Sequence, residues 1–111
     1  MYINVVDLAA NETVVSKMDA DVKEEKKYNP QTVTTPSNQI LIGGREVPVL
    51  KFILGESSGY EGVAYIGESK VLAMVVISSK NEEIFKQDYP FFEQLVKSYT
   101  FLTSDVHIQG K

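Results

Sequence analysis

Residues 65–85, YIGESKVLAMVVISSKNEEIF, decide how the rest of the chain is read. A tight turn at Gly67-Glu68-Ser69 leads into seven consecutive apolar residues, Val71 to Ile77, and then into a helix start. A strand with one face in water alternates polar and apolar residues, whereas an unbroken apolar run marks a strand covered on both faces. Val71, Ala73, Val75 and Ile77 point one way, and Leu72, Met74 and Val76 the other. Both sides need a cover.

Two amphipathic segments are available to supply it. Upstream, Val14, Val15, Met18 and Val22 form one helical stripe, which predicts a helix over about residues 12–27 with Asn11 as N-cap and Glu12 in the first turn. Lys23, Lys26 and Lys27 sit near its end, where the helix dipole favours cations. The charge run DADVKEEKK reads as the solvated face of that helix. Downstream, Ser79 and Glu82 have capping-box spacing, with Ile84 and Phe85 facing inward. Pro90 predicts a new or kinked helix at that point, with Phe92, Leu95, Val96 and Tyr99 as its apolar stripe.

The remaining elements are strands and turns. YINVVDL (2–8) is β-rich. Residues 28–39 hold two prolines and many Ser, Thr and Asn residues, and read as a long connection. ILIGGREVPVLKFIL reads as a hairpin turning at Gly43-Gly44, with Pro48 marking an edge or bulge. LGESSGYEG is a turn region, after which 60–67 pairs with 70–78. Residues 103–111 form a tail, either a short strand or a frayed end. The expected fold is α+β, an antiparallel sheet of about four to six strands flanked by two helices in the order β-α-β-β-β-β-α. Its 111 residues make one domain.

Composition excludes several functions. A net charge of −4 with one arginine, Arg45, argues against nucleic-acid binding. Without cysteine there is no disulfide, thiolate chemistry or sulfur-ligated zinc. No apolar run reaches the ~18 residues of a membrane span. The N-terminus lacks a basic flank, so the chain as given reads as cytoplasmic. His107 is the single histidine, in the tail with nothing to orient it as a base. Asp19, Asp21, Glu24 and Glu25 lack the central glycine of a calcium loop. No catalytic residue, cofactor site or metal site is expected.

The order of elements is also familiar. Residues 62–102, GVAYIGESKVLAMVVISSKNEEIFKQDYPFFEQLVKSYTFL, carry a strand pair around a short turn, then Asn81 and Phe85, then Pro90, and an ending with Val96, Ser98, Tyr99 and Phe101. This pattern resembles the C-terminal half of the PsbP-like superfamily. That group includes the extrinsic PsbP proteins of photosystem II, Ran-binding Mog-type import factors and Eag-type chaperones of secretion effectors. The resemblance implies an antiparallel sheet flanked by helices, and protein binding more often than catalysis. Members usually carry a hairpin with a Pro-x-x-Trp-like feature before the strand matching YINVVDL; this chain has no tryptophan and begins at that strand.

The expected function is therefore a non-enzymatic protein-binding module of adaptor or chaperone type, using a sheet edge or face or the aromatic residues Phe52, Tyr60 and Tyr65. One alternative is a small-ligand carrier or enzyme with a pocket lined by Phe52, Tyr65 and Phe92. Another is an acidic, immunity-type inhibitor of a basic target. The strand margin at Ile3 and Val5 predicts a homodimer, with DVHIQ (105–109) as a strand available for exchange.

Overall fold

The computed structural model describes the backbone of residues 1–36, 39–42, 45–54, 59–68 and 70–109, and the side chains of this set except those of residues 42, 45 and 100–109. In chain order the elements are β1 (Tyr2–Asp7), α1 (Val14–Tyr28), β2 (Val33–Pro36), β3 (Ile40–Ile42), β4 (Arg45–Val47), β5 (Val49–Ile53), β6 (Tyr60–Glu68), β7 (Val71–Ser79) and α2 (Glu82–Gln109). Five strands form one antiparallel sheet in the order β1-β7-β6-β5-β2, and β3 with β4 forms a separate two-stranded sheet.

The sheet separates two cores, as the apolar run requires. Ala73, Val75 and Ile77 join Ala64, Ile66, Phe85, Phe92 and Val96 on the α2 side. Leu72, Met74 and Val76 join Leu50, Phe52, Val63 and Tyr65 on the other, where Val14, Met18 and Val22 of α1 cover them. Leu72, Ala73 and Val75 are wholly buried. Successive side chains of an extended strand point to opposite faces, so neighbours in sequence end in different cores.

Several details depart from the sequence reading. Residues 28–39 are not all connection, because Val33–Pro36 pairs with β5 as the outermost strand. The expected single hairpin through Pro48 is two strands in different sheets, β4 and β5. Proline has no N–H to give a ladder, and Pro48 sits where the chain changes sheet; its carbonyl still accepts from Tyr65 N at 3.0 Å. The two-residue turn at Gly43-Gly44 lies outside the described residues.

Both helix starts also shift. Thr13, not Asn11, caps α1, with Thr13 and Ser16 forming a reciprocal capping box. Asn81, not Ser79, caps α2: its Oδ1 accepts from Glu83 N at 2.8 Å and Ile84 N at 3.1 Å. Ile84 is consequently 47% exposed instead of inward. Helix α2 continues through Pro90, which forgoes only the bond to the Lys86 carbonyl and lies on the exposed side. Residues 105–109 belong to this helix, so DVHIQ is not a strand for exchange.

Two glycines set close approaches. Gly59 has φ +90°, and a Cβ there would lie 2.4 Å from the Ser79 carbonyl oxygen. A Cβ on Gly67 would lie 2.6 Å from Val14 Cγ2. Its absence lets the first turn of α1 rest directly on β6.

Candidate functional site

Helix α1 crosses one face of the sheet with Val14 against Gly67, and its last two turns stand above β5 and β6. The residues 21, 24, 25 and 28 share a stripe at i, i+3, i+4 and i+7, beside the apolar stripe of Val14, Met18 and Val22. On β6, Glu61, Val63 and Tyr65 alternate toward the same face, and Phe52 on β5 is directly opposite Glu61. Together Asp21, Glu24, Glu25, Tyr28, Phe52, Glu61, Val63 and Tyr65 enclose a cleft of about 220 Å³. Three carboxylates of α1 thus stand over a floor that includes Glu61, Phe52 and Tyr65, with exposed Tyr28 at the rim.

The charges inside are crowded. Tyr65 is 1% exposed and its hydroxyl donates to Asp21 Oδ2 at 2.9 Å. Burial, then the negative charge of Asp21 and the hydrogen bond to it, push the Tyr65 phenol far above its usual range, with Glu61 and Glu25 adding to the effect. The phenol stays protonated as a donor that holds Asp21 in place, not as a base or nucleophile. Burial also raises the Glu61 carboxyl, and the nearby Glu25 and Asp21 charges raise it further. Glu61 reaches as far as Tyr2 on β1, whose phenol is raised by burial first and by Glu61 second. Lys17 lies 3.8 Å from Asp21 and offsets that charge in part. Beyond Phe52, the Thr34 hydroxyl of β2 is buried and has no hydrogen-bond partner among the described residues.

The residues singled out from sequence do not form one surface. Phe52 and Tyr65 line the cleft under α1. Tyr60 is on the opposite face, packed against the α2 core, where its ring lies 6.1 Å from that of Phe85. Phe92 is on that opposite side too, in the aromatic row Phe85, Tyr89, Phe92, so a pocket joining Phe92 to Phe52 and Tyr65 does not exist. Ile3 and Val5 are exposed on the margin strand β1. The side chain of His107 lies outside the described residues. Among the described residues, no three His, Asp or Glu side chains gather in a way that would hold a metal ion, and no helix is long and apolar enough to cross a membrane.

Sequence reasoning missed Glu61 and the role of Asp21, Glu24 and Glu25. The solvated-face reading of DADVKEEKK holds for Lys26 and Lys27, both exposed, but three of its acids border the cleft. Comparison with protein-family models, with curated proteins and with solved structures gives no match in any of the three.

Proposed function

We propose that the chain is a non-enzymatic module that binds a protein partner, and that the partner presents a lysine- or arginine-bearing segment to the cleft beneath α1. The observation that carries this reading is the cleft where Asp21, Glu24 and Glu25 of α1 face Glu61 of β6 beside Phe52 and Tyr65. A cation entering there meets opposite charge from Asp21, Glu24, Glu25 and Glu61 and the exposed Tyr28 ring at the rim, two attractions that reinforce each other. It also offsets the Glu25 and Asp21 charges that add to the effect of burial in raising the Glu61 carboxyl. The resemblance to the PsbP-like group, in which protein binding is more usual than catalysis, supports the same reading.

Size argues against a free small ligand as the occupant. Pockets for drug-sized molecules run from about 300 to 1,000 Å³, whereas this cleft holds about 220 Å³. One basic side chain and its flanking backbone suit it better. The proposal extends to self-association, the module acting as a homodimer.

Calorimetric titration with a short Arg/Lys peptide tests the cleft, with a Glu/Asp peptide of equal length as control. The basic peptide should bind, and added salt should weaken it. Glu25→Gln with Glu61→Gln should weaken binding on the order of tenfold. Equal binding by this double variant, or equal binding of both peptides, refutes the reading.

A further inference from the structure

We propose that two copies of the chain pair through β1, antiparallel and centred on Val5, and that this pairing closes an apolar patch shared between β1 and α2. The proposal rests on the self-association proposed above and is independent of what occupies the acidic cleft.

The backbone sets the register. Leu8 N donates to the Lys70 carbonyl at 2.8 Å, continuing the β1–β7 ladder. In an antiparallel ladder, residues alternate between bonding one neighbour and bonding the other. Tyr2, Asn4 and Val6 therefore bond β7, like Leu8, and the N–H and C=O groups of Ile3, Val5 and Asp7 point to the open margin. Pairing about Val5 sets Val5 against its own copy and Ile3 against Asp7. All six outward groups of each strand then find partners, and a two-fold axis closes the assembly without leaving a new margin. The other margin, β2, spans four residues and includes Pro36, so it is poorly suited to the same pairing. Neither proline nor lysine guards β1.

The side chains favour a second copy over an unrelated strand. Ile3 is 38% exposed and Val5 53%, and both lie on the α2 face, opposite Val75 and Ala73. On α2, Ile84 is 47% and Phe91 60% exposed. With Leu95 they stand at i, i+7 and i+11, along one flank of the helix. Helix α2 runs back over β7 from Phe85, beside Gly62 and Ile77, toward Val96 in the core with Ala73. A right-handed helix running in that direction turns this flank toward β1. Any added strand would satisfy the backbone, but it would leave Ile84 and Phe91 in water. A second copy carries its own apolar flank above the same face, and pairing places the two β1 strands about 4.8 Å apart. With far fewer than the 20–30 residues a side of a standard interface, the dimer is weak, its Kd on the order of micromolar.

The test joins mass and cross-linking, using the absence of any native cysteine. Val5→Cys places the only thiol at the two-fold axis, where a hydrogen-bonded pair has Cα atoms about 5.5 Å apart, within disulfide reach. Val33→Cys, on the β2 margin, is the control. Sedimentation velocity across the micromolar range should show the native protein passing from monomer to dimer. Mild oxidation should link Val5→Cys and not Val33→Cys, and Phe91→Lys should leave a folded monomer by circular dichroism. Monomer mass for the native protein at every concentration overturns self-association itself. A dimer that survives Phe91→Lys, or in which Val5→Cys fails to link, overturns this interface alone.

Discussion

Alternate residues of β7 serve different cores, and truncating one side chain in each should be costly for a different reason. Leu72 is wholly buried beneath α1 between two cross-strand neighbours, Val6 on β1 and Gly67 on β6, and Gly67 has no side chain to move into a vacated space. Leu72→Ala removes three carbons, about 2.4 kcal/mol of transfer free energy at ~0.8 kcal/mol each. The void adds a further ~1–2 kcal/mol where neighbours cannot close it. The Gly67 backbone and Val14, which already rests against it, leave little room for collapse, so the expected loss is about 4 kcal/mol. Val75→Ala, beneath α2, removes two carbons and should cost about 2–3 kcal/mol on the same basis. Urea denaturation followed by circular dichroism measures both, with the slope m checked for constancy so that each midpoint reports stability. Hydrogen exchange on the native protein should find its slowest amides at residues 72–77. If either substitution costs under about 1 kcal/mol, one face of β7 lacks the helix assigned to it, because truncation of an exposed residue falls in that range.

Three further outcomes follow from particular residues. The folded Glu61 carboxyl titrates above its usual 4.5; between those two values the folded protein keeps a proton that the unfolded chain has released, so stability falls as pH rises through that window. Glu61→Gln should remove this slope and raise stability at neutral pH, and an unchanged pH profile in denaturation would show that Glu61 is not its source. Gly59→Ala, forced to φ +90° against the Ser79 carbonyl, should lower stability by about 1–3 kcal/mol, and a shift in urea midpoint corresponding to less than a few tenths would contradict that backbone geometry. Thr34→Val removes a buried hydroxyl that has no partner and should be neutral or stabilising by up to about 1–2 kcal/mol in thermal melts; marked destabilisation would mean that the hydroxyl is hydrogen-bonded.

The layered fold was legible because Val71–Ile77 requires cover on both faces and the stripes at Val14, Met18, Val22 and at Phe92, Leu95, Val96 supply two helices to give it. Strand β2 was not, because VTTP at the margin is half polar and ends in a proline, and such a strand looks like a loop when read alone. The α2 start was misplaced because Ser79/Glu82 and Asn81 offer competing caps, and tertiary packing chose the one that buries Phe85. The cleft was legible only in part. The stripe of Asp21, Glu24, Glu25 and Tyr28 is visible in the sequence, but Glu61 lies on a strand far along the chain, and only the path of α1 over β6 brings it beneath them.

Among the described residues strand β1 pairs with β7 alone, and Val5 and its partner Ala73 are 68 residues apart. During synthesis the first strand therefore waits for most of the chain to emerge before its ladder can form. At ~5–20 residues per second that wait lasts several seconds, long on the microsecond scale of hairpin formation. The β6–β7 hairpin closes locally and can form as soon as it emerges. Strand β1 thus joins the sheet only after β7, which acts as the template onto which it is laid. Until then the backbone groups of Tyr2, Asn4 and Val6 remain open to any neighbouring nascent chain.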